Sequence, residues 1–221
     1  MNKFKLARLA DISIIEMDTT ASDVEDFCKK WREYPCAGIA VDLAYVPLAQ
    51  EMLKGTGIHV VTTIAYPLGG MTKETMMRQA RWAVENGADE MDVSIDVGAL
   101  IDGRYDEVYD KLKSVVDVAA GRITKAVIYT AKLSPEQSLI ATDIAIRAGM
   151  RFVKTNSGFG LITEPEHVRN IKDTFGHRIK VMAAGGIRTQ ERVMQMIQAG
   201  ADRFATSTPC KVFGLVGGEA K

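Results

Sequence analysis

Cysteine is scarce in this chain, and neither sign of charge is in excess. The three cysteines, Cys28, Cys36 and Cys210, form no CxxC pair and no zinc spacing with His59, His167 and His177. That excludes a disulfide framework and a zinc module, and it suits a reducing compartment. Lys plus Arg and Asp plus Glu both number 28, so the formal net charge is zero. A nucleic-acid binder would show a basic surplus, which leaves room only for a small local anion site. No stretch approaches the roughly 20 apolar residues of a membrane-spanning helix. The N-terminus, MNKFKLARLADISII, carries positive charge without an apolar run of signal-peptide length. A cytoplasmic protein with neither nucleic-acid nor membrane partners is expected. No GxGxxG opens a first helix, which weakens a dinucleotide-binding reading.

What is present is a regular alternation. The 221 residues are 47% hydrophobic and 25% charged, enough for one domain over residues 1–221 to bury a sizeable core. Strands are expected at 36–43, 58–65, 90–96, 124–130, 151–155, 180–184 and 203–207, each followed or preceded by a helical stretch. An eighth, short and mixed, falls at Ala10 to Ile14 before a helix from Ala21 to Trp31. Ser134-Pro-Glu-Gln137 places an N-cap, an N1 proline and a capping-box glutamine at one helix start. The endings Asn86-Gly-Ala-Asp89, Arg147-Ala-Gly-Met150 and Gln198-Ala-Gly-Ala-Asp202 recur just before strands. Eight apolar strands alternating with helices imply parallel pairing with right-handed crossovers. The repeat favours a closed α/β (β/α)8 TIM barrel over the alternative, an open doubly wound sheet. Trp31 and Trp82 read as helix–barrel contacts, and the four methionines 76, 77, 194 and 196 as helix packing.

In such barrels chemistry sits at the C-terminal strand ends. Strand alternation puts Phe152, Lys154 and Asn156 on one face of strand six. A lysine inside an apolar strand is costly to desolvate, and a neutral amine is the nucleophile that attacks a carbonyl carbon. The bland reading is a lysine paired with a neighbouring carboxylate. On strand four Asp92, Ser94 and Asp96 share a face; Asp92 can exchange protons with a substrate hydroxyl, or simply neutralise a buried lysine. After strands seven and eight, Gly185, Gly186 and Ser207 are candidate phosphate contacts, since loops there often bind phosphate through backbone N–H groups. Arg188 either assists or faces water. Thr130 and Asn156 complete the expected substrate contacts.

Together these residues resemble the deoxyribose-phosphate aldolase family across nearly the whole chain. Phe152-Val-Lys-Thr-Asn-Ser-Gly-Phe-Gly160 is similar to its Schiff-base segment, and Ala184-Gly-Gly-Ile-Arg-Thr189 to its strand-seven loop. Ala65-Tyr-Pro-Leu-Gly-Gly70 and Gly87-Ala-Asp-Glu-Met-Asp-Val93 are similar to its third-strand turn and fourth-strand motif. The resemblance implies that Lys154 forms an imine and that Asp92 belongs to the proton relay. It implies reversible cleavage of 2-deoxyribose 5-phosphate to acetaldehyde and glyceraldehyde 3-phosphate without metal or other cofactor, and a homo-oligomer. The partner is then a small phosphorylated sugar or aldehyde. The alternatives are a Schiff-base aldolase with another carbonyl donor and a non-catalytic sugar-phosphate binder.

The sequence also departs from the family pattern. Met182 stands where the family keeps a second lysine, an ammonium expected to lower the reactive lysine's pKa by like-charge repulsion. Lys132, just beyond strand five, or Lys180, two residues before Met182, is the expected replacement, with Lys132 favoured for its place at the active end. Tyr129 replaces a glutamate, Asp96 an asparagine, and Asp11-Ile-Ser13 an Asp-His-Thr. The tail from Phe213 to Lys221 either lacks order or folds over the site.

Overall fold

The computed structural model describes residues 2–215. Its strands are β1 (Ala10–Ile14), β2 (Gly38–Val41), β3 (His59–Ile64), β4 (Glu90–Ser94), β5 (Ile123–Val127), β6 (Phe152–Lys154), β7 (Lys180–Ala183) and β8 (Arg203–Thr206). Each pairs in parallel with the next, and β8 returns to β1, closing the barrel. Closure decides against the open sheet. It also removes every unpaired strand edge.

Helices fill the crossovers. They are α1 (Lys3–Ala7), α2 (Ala21–Trp31), α3 (Val46–Leu53), α4 (Lys73–Glu85), α5 (Val97–Ile101), α6 (Tyr105–Val118), α7 (Pro135–Ala148), α8 (Pro165–Phe175), α9 (Gln190–Gln198) and α10 (Pro209–Val212). The expected start of α7 holds in detail. Ser134 accepts from the Gln137 N–H while Gln137 accepts from the Ser134 N–H, so two N-terminal donors are satisfied reciprocally. The short elements α1, α5 and α10 carry too little periodicity to be seen in sequence.

The recurrent endings before strands acquire a physical reason at the bottom of the barrel. Asp89, just before β4, accepts a hydrogen bond from the Val60 N–H of β3 at 2.9 Å. Asp202, just before β8, accepts one from the Val181 N–H of β7 at 2.8 Å. Each carboxylate thereby ties its strand to the preceding one.

Apolar side chains fill the layer between barrel and helices, among them Val24, Phe27 and Trp31 of α2, Ile39, Val60, Met91, Val153, Val181 and Phe204, all buried. Each fully buried side chain of this kind stabilises the fold by about 1.5–3 kcal/mol. Trp31 fits the expected role, whereas Trp82 is 38% exposed and faces outward from α4. Phe213 packs edge-on against Trp31, with ring centroids 5.7 Å apart. The tail beyond Leu215, and with it the expectation of a cover over the site, lies outside the described residues. Among the described residues no helix is long and apolar enough to cross a membrane.

Candidate functional site

Register stacks charge inside the barrel. Across β3, β4 and β5 the Cα partners are Thr63, Asp92 and Lys125; Lys125 faces Phe152 on β6, and Val127 faces Lys154. Lys154 therefore stands one layer above Lys125, nearer the C-terminal mouth. Their common partner is Asp92, whose Oδ2 is 2.6 Å from the Lys154 ammonium and whose Oδ1 is 3.0 Å from that of Lys125. Lys125 is fully buried and also meets Asp11 at 2.5 Å and Glu90 at 2.8 Å. Arg203 closes the set from below through Glu90 at 2.9 Å, and His59 reaches the same carboxylate at 2.6 Å.

These groups set one another's ionisation. Burial works against charge on Asp92, but the Lys125 and Lys154 ammoniums outweigh it and hold the carboxyl down to about 2. Burial likewise opposes charge on Lys125, and Asp11, Asp92 and Glu90 together push its pKa above the usual lysine range. Asp11 shifts the other way, because burial raises it more than Lys125 lowers it. Asp92 thus rests as a carboxylate at neutral pH, already accepting a hydrogen bond from Lys154 above it.

Above Lys154 opens a cavity of about 450 Å³, walled by Ser13, Thr63, Tyr66, Ser157 and Phe159 and, at the far side, by Gly185, Gly186, Arg188 and Ser207. Glycine is required at 185, where φ is +97° and a Cβ would sit 2.6 Å from the Leu161 carbonyl oxygen. The close approach lets the loop after β7 fold against the loop after β6. Thr189 then caps α9, its Oγ1 accepting from the Arg192 N–H at 3.1 Å. The three phosphate candidates thus line one cavity with Lys154, beside a helix N-terminus.

Other expected residues fall elsewhere. Thr130 and Asn156 do not line this cavity, because their polar atoms are already engaged. Asn156 accepts from the Ala131 N–H at 3.1 Å and donates to Thr130 Oγ1 at 3.0 Å and Thr163 Oγ1 at 2.7 Å. They brace the loops after β5 and β6 against each other. Lys132 is exposed on a 3-10 turn, Thr130–Lys132, away from the Asp92 pair. Lys180 lies at the bottom of β7 with its ammonium 5.5 Å from the Phe152 ring centroid. Met182 is the Cα partner of Lys154 and fully buried. The second ammonium beside Asp92 is therefore Lys125, on β5. A lysine flanked by Thr124 and Ala126 inside a strand is the same signal that singles out Lys154.

The remaining features are structural. The Asp96 carboxylate caps α5 through the Ala99 N–H at 3.0 Å and pairs with Lys111 at 2.7 Å. Burial pushes Cys28 up to about 11 and Cys36 to about 12, so both thiols are inert at neutral pH. Among the described residues no cluster of His, Cys, Asp or Glu is arranged to hold a metal ion.

Comparison with known proteins places this arrangement. Residues 7–219 match the description of the DeoC/LacD family aldolases. Deoxyribose-phosphate aldolase of Carboxydothermus hydrogenoformans is 39% identical, spanning 97% of either chain. That of Dictyoglomus turgidum is 35% identical over 98% of this chain and 100% of its own. A solved structure described as QR15, an aldolase, superposes with a TM-score of 0.91 at 32% identity, covering 95% of this chain and 94% of its own. On this likeness, over nearly its full length, the chain belongs to the DeoC/LacD family aldolases.

Proposed function

We propose that the protein cleaves 2-deoxyribose 5-phosphate reversibly to acetaldehyde and glyceraldehyde 3-phosphate through an imine on Lys154. The observation that carries this reading is the Lys154–Asp92 pair at 2.6 Å on the floor of a cavity rimmed by Gly185, Gly186 and Ser207. Membership of an aldolase family makes the chain a carbon–carbon lyase, and the named relatives act on this sugar phosphate.

The step sequence follows from the charges. The Lys154 amine adds to the aldehyde carbon of the open-chain sugar, and loss of water leaves a protonated imine that accepts electrons. The bond between the second and third carbons breaks, and its electron pair flows to the imine nitrogen. The third carbon's hydroxyl becomes the aldehyde of glyceraldehyde 3-phosphate, and its proton passes to Asp92 directly or through water. Asp92 returns the proton to the enamine carbon, and hydrolysis releases acetaldehyde and restores the amine. Lys125 keeps a counter-charge beside Asp92 throughout, because its ammonium remains when the protonated imine on Lys154 is discharged to the neutral enamine. Loop N–H groups around Gly185 and Gly186, with the Ser207 hydroxyl, hold the phosphate.

A cytoplasmic location belongs to the same proposal, supported by the free, buried thiols of Cys28 and Cys36, which suit a reducing compartment. Self-association is proposed from the family resemblance, with sedimentation analysis as its check. The chemistry is tested by incubating the protein with 2-deoxyribose 5-phosphate, measuring acetaldehyde release, and reducing with borohydride. Release in the wild type, with an adduct mapped to Lys154 and both lost in Lys154→Met, is the expected result. An adduct at another lysine, or cleavage that survives Lys154→Met, would overturn the assignment.

A further inference from the structure

Tyr66 faces the same cavity as Lys154 yet has no place in the steps above. It stands at the start of the turn between β3 and α4, and two hydrogen bonds brace that turn. The Gly69 N–H donates to the Ala65 carbonyl at 2.8 Å. The Tyr129 hydroxyl donates to the Pro67 carbonyl at 2.5 Å and is itself 2.8 Å from Ser94 Oγ on β4. On its other side the Tyr66 ring packs against Phe159, with centroids 5.8 Å apart. The phenol is thereby held from both sides. Burial raises its pKa more than the neighbouring Ser157 hydroxyl lowers it, with Tyr129, Glu16 and Asp92 adding to the rise, so it remains a neutral donor.

Beside it is an unsatisfied group. Ser157 lines the cavity three residues beyond Lys154, only 6% exposed, and its hydroxyl lies against the Tyr66 and Tyr129 phenols. Even so, Ser157 Oγ has no well-formed hydrogen bond. A buried hydroxyl left unmade costs about 1–3 kcal/mol, so its persistence in a cavity wall calls for a partner that arrives from the cavity. The two neutral hydroxyls suit an uncharged oxygen better than a phosphate, whose candidate contacts are Gly185, Gly186 and Ser207.

We propose that Tyr66 and Ser157 form the subsite for the oxygen on the carbon two bonds from the imine carbon, making the site selective for β-hydroxy aldehydes. A substrate held on Lys154 places that oxygen four bonds from the lysine nitrogen, on the cavity wall rather than at the phosphate end. Hydrogen bonds from the phenol strengthen as the hydroxyl loses its proton during cleavage, so the pair assists catalysis as well as recognition. This inference rests on the imine reading of Lys154.

The test uses two aldehydes that differ at one oxygen, butanal and 3-hydroxybutanal. Each is incubated with the wild type, Tyr66→Phe and Ser157→Ala; the imine is reduced, and the Lys154 adducts are distinguished by mass, with the two-carbon adduct left by cleavage counted together with the four-carbon adduct of 3-hydroxybutanal. The wild type is expected to trap 3-hydroxybutanal about tenfold faster than butanal, the effect of roughly one hydrogen bond. In Tyr66→Phe the ratio should fall toward one, and in Ser157→Ala it should fall in the same direction. The ratio is internal to each variant, so a loss of folded protein does not move it. A wild-type ratio near one, or an undiminished ratio in both variants, would overturn the subsite and leave the imine standing. Failure of the wild type to trap either aldehyde would overturn the imine reading and this inference with it.

Discussion

Two lysines on neighbouring strands share one carboxylate, and the consequences differ for each of the three. Replacing Lys125 by methionine would leave Asp11, Glu90 and Asp92 buried with their main counter-charge removed. Breaking a buried ion pair from one side typically costs about 3–5 kcal/mol. Urea unfolding of Lys125→Met at pH 7 should show a loss of that order. Part of it should return as the pH is lowered and the stranded carboxylates take up protons. Asp92 has its own signature. Its folded pKa of about 2 lies below the ordinary 3.8, so its stabilisation is complete above pH 3.8 and is lost as the pH falls toward 2. Asp11, raised by burial, acts in the opposite sense. Stability measured between pH 2 and 4 should therefore fall less steeply in Asp92→Asn than in the wild type, by about 2 kcal/mol over that window. Reading strand ends for polar groups selects Lys154 but passes over Lys125, which carries the same signal lower in its strand, and Lys132 is reached only through the departure at Met182. Its importance depends on Asp11, 114 residues away in sequence, a proximity that local pattern does not carry.

Elements set how accurately those side chains are presented. The loop after β7 approaches the loop after β6 so closely at Gly185 that no Cβ fits. Gly185→Ala should cost roughly 1–3 kcal/mol of stability through backbone strain and displacement of that loop. If Gly185 helps to hold the phosphate, KM for 2-deoxyribose 5-phosphate should rise about tenfold or more while kcat falls less, as steady-state kinetics would show. The paired glycines are plain in the sequence, and their place after strand seven suggests an anion site. Thr130 and Asn156 read as equally good substrate contacts from pattern alone. Only the folded loops reveal that their hydrogen bonds are satisfied by Ala131 and Thr163 and by each other. Donor and acceptor chemistry is written in the residue type, whereas whether it is already satisfied depends on neighbours from other elements.

Over the whole molecule the interior charges act as a fastener across the closed sheet, linking β1 through Asp11, β4 through Glu90 and Asp92, β5 through Lys125, β6 through Lys154 and β8 through Arg203. Members of one network do not contribute independently. A double-mutant cycle on Asp11→Asn and Lys125→Met should therefore show a coupling of about 1–3 kcal/mol by chemical denaturation; simple additivity would mean the charges act locally. The alternation of eight strands with helices and the candidacy of Lys154 were determined by the sequence alone, because strand and helix periodicities and an ammonium within an apolar strand are local properties. Closure of the barrel and the identity of the second ammonium beside Asp92 were decided only by the tertiary structure, as was the division of polar residues between cavity wall and loop brace. Each depends on side chains from distant strands meeting within hydrogen-bonding distance, and only the packed barrel sets those distances.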